Sequence, residues 1–364
     1  MLYGELGVTL CDEDKAAGGY TLISPIGNFT KTYALNMKGE VVHEWDRGLP
    51  PGNYAYLLPT GNLLSGNRTD EGPHIAAKGG CLREFDWDGN IVWEYTDHTQ
   101  HHDFRRLANG NTIYIGLEDM REDTQARLIG GMPGTEHEGG IIHTDYLREV
   151  TPDGETVWEW HAQDEMEIEN YPVCPLCPRE EQMHMNTVAE DKNGNFMISS
   201  RHTNHCAVID KKTGKFIWEM MELSFGHQHD FQELENGNYM LFSNGYHTDR
   251  TGPAAGSRIF EIDPATKEIV WEFVGLPPHT FYSGHISGCQ RLWNGNTLIC
   301  EGVGGRVFEV TPDKEVVWNY TSPYFMPKDF KGPWANANQL FRAHRYAPDS
   351  PEIGGRLNPD PYAS

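Results

Sequence analysis

One pattern of polar and apolar positions recurs along the chain. A His or another polar residue leads a short apolar run. Asn-Gly-Asn separates it from a second apolar run, and a later Gly turn leads into Val-Trp-Glu-aromatic. The Asn-Gly-Asn step stands at Asn109–Asn111, Asn193–Asn195, Asn236–Asn238 and Asn294–Asn296, with Thr60-Gly61-Asn62 as a variant. The Trp step stands at Trp93, Trp158, Trp218, Trp271 and Trp318, with His43-Glu44-Trp45 as a degenerate first copy. Asn-Gly accepts the positive φ of a tight hairpin turn, so each such step joins two antiparallel strands. A period of roughly 45 to 65 residues with about four strands per unit predicts a β-propeller.

The repeats lay out as blades. Strands are expected over 53–58, 62–66, 81–86 and 90–95, and then over 102–107, 111–116, 146–150 and 156–160. The next sets are 184–190, 195–200, 206–210 and 215–220, then 227–234, 238–243, 257–262 and 268–273, then 285–292, 296–301, 306–310 and 315–320. The N-terminal segment supplies three strands, over 20–24, 32–36 and 40–45, and the C-terminal one supplies a single strand within 338–346. Joined, they complete a sixth blade and remove the open edges. The expected fold is therefore all-β: one six-bladed propeller domain over 1–364. Its repeats run over about 17–346, followed by a C-terminal tail, 347–364. The repeated Trp is expected to pack between neighbouring blades. Long insertions rich in Gly, Pro, Glu and Met, 118–145 and 162–183, interrupt or follow the His102 blade. Loops of this kind on a rigid frame carry ligands.

Composition narrows the partners. The 364 residues carry a formal charge of −24, which argues against nucleic acid as a partner. No apolar run reaches the length of a membrane span, and no basic-then-apolar leader opens the chain, so a cytoplasmic protein off the membrane is expected. Oligomeric state stays open, a homo-oligomer included. Seven scattered Cys argue against a disulfide framework. Cys174-Pro175-Leu176-Cys177 is the one close pair. No second CxxC matches it, so a plain loop pair is expected, with His184 nearby keeping a metal reading open. No P-loop, dinucleotide loop or Ser-centred elbow occurs. Gly130-Gly131-Met132-Pro133-Gly134 lacks the spacing.

The first strand of each blade lines a propeller's axis. Eight residues before each turn Gly stand Asn53, His102, Asn186, His229 and Ser287, and ten before it stand Pro51, Gln100, His184, His227 and His285. Residues two apart in a strand share a face, so four of five blades are expected to present a His at one level. Convergent polar groups in a concavity make a site. Arg68, Arg201, Arg342 and His344 lie at strand ends or in the closing strand, where they would trap an anion.

At these residues the chain resembles the bacterial, PAPS-independent arylsulfate sulfotransferases. The motifs are His102-Asp103, His184-Met185-Asn186, Ser199-Ser200-Arg201-His202 and Gln228-His229. The resemblance implies a six-bladed propeller in which His229 takes the sulfuryl group from an aryl sulfate ester and passes it to a phenol. It implies that His102, His184, Asn186 and Arg201 hold the sulfate oxygens; the repeat alignment, apart from the resemblance, offers Arg68, His227, His285, Arg342 and His344 as further substrate-binding candidates. The substrate expected is a small aromatic or anionic molecule, and no cofactor is expected. The chain adds His227, His285 and the Cys174/Cys177 loop to the family pattern. An alternative is a metal enzyme, a lyase, hydratase or oxidoreductase, in which His102, His184, His229 and His285 hold one transition metal (Zn, Fe, Cu or Mn) and Asp103, Asp230 and Glu301 orient them. A second alternative is a non-catalytic binding propeller, which needs aromatic and Arg anchors rather than buried imidazoles.

Overall fold

The computed structural model describes residues 5–27, 29–331 and 335–363. The fold is all-β, a β-propeller of six antiparallel blades, five with four strands and one with a fifth added, and the chain divides into two compact units with three blades apiece. Expected and observed strands agree to within a few residues.

The first unit comprises Met1–Asp70, Gly79–Thr96 and His285–Ser364. Its first blade pairs the C-terminal strand Leu340–Tyr346 with Tyr20–Pro25, then Lys31–Leu35 and Val41–Asp46. The closing strand thus stands where the repeat predicts it, in register Leu22 with His344. The second blade runs Pro51–Leu57, Leu63–Arg68, Gly80–Phe85 and Ile91–Thr96. The last blade runs Gly288–Arg291, Thr297–Glu301, Arg306–Val310 and Val316–Thr321, and gains a fifth, outermost strand, Gly7–Cys11, that the repeat pattern does not announce. The tail beyond Tyr346 is docked on the first blade. Ile353 is fully buried beside Tyr20 and Trp45, and Met37 N donates to the Pro361 carbonyl at 2.9 Å.

The second unit comprises Glu71–Lys78 and Asp97–Gly284. Its blades are Gln100–Arg106, Thr112–Asp119, His143–Val150 and Thr156–His161, then Met185–Glu190, Phe196–Ser200, His205–Ile209 and Phe216–Met221, then His229–Glu233, Tyr239–Ser243, Arg258–Ile262 and Ile269–Val274. The two insertions meet in a parallel pair, Gly130–Met132 with Val173–Pro178. Leu128, Ile142, Met166, Ile168 and Val173 from the insertions share one core with Ile115, Leu147, Trp160 and Phe196 from the blades.

The recurrent Trp tie blades together within each unit. The Trp45 indole N–H donates to the Asp86 carbonyl at 3.1 Å, and that of Trp318 to the Met37 carbonyl at 2.9 Å. Trp158 and Trp218 reach the Lys211 and Pro264 carbonyls, both at 2.9 Å. Each acceptor lies in the turn before the outer strand of the next blade. A buried indole needs a partner for its N–H, and a turn carbonyl is the backbone group that a sheet leaves unpaired.

Candidate active site

The inner strands do not continue straight through the positions that the repeat aligns. Opposite Tyr114 and Ile115 the partners jump from Phe104 to His101, which leaves His102 and Asp103 outside the ladder. Similar bulges sit at Asn186, just after His229 and around Asn53. Asn53, His102 and Ser287 hold equivalent places and all take positive φ, at 113°, 49° and 92°. A bulge with a left-handed residue re-aims its side chain, at a cost of order 1–3 kcal/mol where the residue is not Gly. Moreover, His184, His227 and His285 precede their strands, which begin at Met185, His229 and Gly288. The two-residue alternation expected to align them with the next position therefore does not operate there.

Within the second unit, buried imidazoles gather. His102 and His184 meet edge to face at 4.5 Å between centroids, and His184 stacks on His202 at 4.8 Å. His102 is held well below the usual imidazole range, by burial first and then by His184, His101, His229 and Arg201, so its ring is neutral near pH 7. The group also includes carboxylates that sequence reasoning missed. Glu181, fully enclosed, is lowered to about 2: burial raises it, but His184, His202 and His101 outweigh that. It is therefore ionised, and His184 Nδ1–H donates to its Oε2 at 3.0 Å. On the other side, Asp145 Oδ1 lies 2.8 Å from His101 Nε2, and His101 Nδ1 lies 2.7 Å from His102 Nδ1. His101 and His102 thus share a hydrogen bond along which a proton can shift, with Asp145 at ion-pair distance behind His101.

His229 is buried, and its tautomer is set by a neighbour. Asn244 Nδ2–H donates to the Ser283 carbonyl at 2.7 Å, which fixes the amide with Oδ1 toward His229. His229 Nδ1–H donates to that Oδ1 at 2.8 Å and to the His227 carbonyl at 3.1 Å. Nε2 then carries the lone pair. Asn186 is also buried, and its Nδ2–H donates to the Gln228 carbonyl at 2.7 Å, which braces neighbouring inner strands. Asp103, expected to orient a His under the metal reading, accepts from Arg105 at 2.7 Å and from the backbone of Val188 at 3.1 Å.

His227 belongs to a second cluster. Its Nδ1–H donates to the Arg201 carbonyl at 2.6 Å, and its Nε2 lies 3.4 Å from Cys177 Sγ and 3.1 Å from His247 Nδ1. The Arg201 guanidinium reaches Cys177 Sγ at 3.9 Å and lies over the Tyr246 ring. The Cys pair faces His227 and His247, whereas His184 faces Glu181. A hydrogen bond from Cys177 holds the Cys174 thiol below its ordinary value, against the effect of burial; the same bond, with burial, pushes Cys177 up.

The remaining candidates lie in the first unit. Arg342 is buried, with Nη1 3.2 Å from Tyr54 Oη and its guanidinium over the Tyr54 and Phe341 rings. His344 packs near Tyr54 and Tyr56. His285 Nε2 lies 3.3 Å from Gln339 Nε2, and Arg68 N donates to the Pro50 carbonyl at 2.9 Å.

Among the described residues, no helix is long and apolar enough to cross a membrane. A Bacteroides caccae protein of unknown function shares the fold: 14 % identity, TM-score 0.55, with 90 % of this chain and 98 % of that one covered. A streptogramin B lyase superposes with TM-score 0.49 at 12 % identity, over 88 % of this chain and 83 % of its own. Virginiamycin B lyase from Staphylococcus aureus does so with TM-score 0.42 at 12 % identity, over 75 % and 70 %. No curated protein matches the sequence. The profile of the arylsulfotransferase (ASST) family matches residues 76–323, a span that holds the whole imidazole cluster, and the chain belongs to that family.

Proposed function

We propose that the protein transfers a sulfuryl group from an aryl sulfate ester to a phenolic acceptor through His229. The observation that carries this reading is the fixed His229 tautomer. With Nδ1–H held by Asn244 Oδ1, Nε2 is a neutral nucleophile. Nε2 attacks sulfur, the sulfur–oxygen bond to the aryl group breaks, and a phenolate leaves. His184 and Arg201 are assigned to the nonbridging oxygens, where negative charge concentrates. The leaving oxygen takes the Nε2 proton of His102. His101 passes its Nδ1 proton to His102 Nδ1 across their 2.7 Å contact, so the proton given to the leaving oxygen is replaced on His102 and one negative charge is left on the His101–Asp145 pair. The return half runs backwards: His102 Nε2 takes the proton of the acceptor phenol, whose oxygen attacks the sulfuryl-histidine.

The test uses 4-nitrophenyl sulfate with phenol as acceptor. Wild-type protein is expected to release one equivalent of nitrophenol without acceptor and to turn over continuously only with acceptor present. Without acceptor, the peptide that holds His229 should gain the mass of one SO₃. His229→Ala, folded by circular dichroism, is expected to lose more than about 10³-fold in kcat. Full activity in that variant, or the added mass on another residue, overturns the assignment.

A further inference from the structure

The cluster of Cys174, Cys177, His227 and His247 takes no part in the proposed reaction. One ligand atom from each residue lies within 4.8 Å of every other. For a tetrahedral zinc ion, bond lengths of about 2.3 Å to sulfur and 2.0–2.1 Å to nitrogen place sulfur and nitrogen about 3.5–3.6 Å apart and two nitrogens about 3.3–3.4 Å apart. Here Cys174 Sγ and Cys177 Sγ stand 3.5 Å and 3.6 Å from His247 Nδ1, Cys177 Sγ stands 3.4 Å from His227 Nε2, and the two nitrogens are 3.1 Å apart. We propose that these four side chains form a tetrahedral S₂N₂ site for one zinc ion.

Three further observations support the site. His227 gives its Nδ1–H to the Arg201 carbonyl, which leaves the Nε2 lone pair toward the cluster, the arrangement that ligating imidazoles use. Both Cys are free thiols, committed to no disulfide. Two thiolates, two neutral imidazoles and one divalent ion sum to zero charge, so the mostly buried site carries no net charge out of water. Access exists on the His247 side, where His247, Arg250, His279 and Tyr282 line a cavity of about 260 Å³.

Four protein ligands leave no open position, so the ion is structural rather than catalytic. It would fasten the insertion strand Val173–Pro178 to the segment just ahead of His229 and to the loop after Tyr239–Ser243. The site stands independently of the sulfuryl-transfer reading, since none of its ligands is a reacting group.

Cobalt(II) titration of the full-length, chelator-stripped, reduced protein tests the proposal without any variant. The expected result is saturation at one equivalent, with the visible bands of tetrahedral cobalt and a near-ultraviolet thiolate charge-transfer band, both erased by one equivalent of zinc. Cys177→Ser and His247→Ala are expected to lose or shift these bands. His102→Ala is expected to keep them, which separates this site from a metal on the other imidazoles. Cobalt binding without a thiolate band, a spectrum unchanged in Cys177→Ser, or no binding by the reduced wild-type protein overturns the proposal.

Discussion

At the scale of single residues, the site depends on groups that fix protons rather than on groups that would touch substrate. Asn244 is the clearest case, because its own amide is oriented by the Ser283 carbonyl before it orients His229. Asn244→Ala frees the imidazole to change tautomer and is expected to lower kcat by about 10–100-fold with KM little changed, read from initial rates. His102 gives a pH prediction. Burial, with His184, His101, His229 and Arg201 around it, holds its folded-state pKa well below 6.5, so below that pH the unfolded chain binds the proton and the folded chain does not. Stability therefore falls as pH drops through about 6.5. Glu181, lowered to about 2, adds a second loss as pH falls from about 4.5. Thermal melts between pH 7.5 and 5.5 should show a falling Tm, with a smaller fall in His102→Asn. Most of these orienting groups escaped the reading of the repeat, because Glu181 and Asp145 lie in or beside insertions and Asn244 and His247 follow a second strand. A faint signal existed: Asn244-Gly245-Tyr246-His247 stands where the preceding blade has Arg201-His202.

At the scale of strands, what was legible was local. An Asn-Gly turn and a Trp directly after a β-branched residue act within a few residues of themselves, so blade boundaries followed from sequence. The bulges were not legible, since no residue type marks them: those around Asn53 and His102 carry different side chains at positive φ. Nor was the outermost strand Gly7–Cys11, which has no counterpart in the repeat. The Trp ties make an element-level prediction. Trp318 is wholly buried, and its indole satisfies the Met37 carbonyl. Trp318→Phe leaves that carbonyl unpaired and is expected to cost about 1–3 kcal/mol in denaturant unfolding. Because Trp318 lies outside the unit that holds the imidazoles, kcat should change little.

At the scale of the molecule, the first blade is made from both ends of the chain. The strand Leu340–Tyr346 pairs with Tyr20–Pro25, and the following segment covers that blade through Ile353 and Pro361. Ending the chain after residue 339 removes the inner strand and exposes the edge of Tyr20–Pro25, so the product is expected to aggregate on expression. Ending it after residue 347 leaves the blade whole but uncovers Tyr20 and Trp45. That form is expected to stay folded with a lower Tm in calorimetry.

The same arrangement sets an order of birth. The blades that carry the imidazole cluster come from Asp97–Gly284, a nearly unbroken stretch that is synthesised before the strand Leu340–Tyr346. The blade built on Tyr20–Pro25 must wait for Leu340–Tyr346, because that later segment is its inner strand. Unlike chains that fold in order from the N-terminus during synthesis, this one matures from the middle outward.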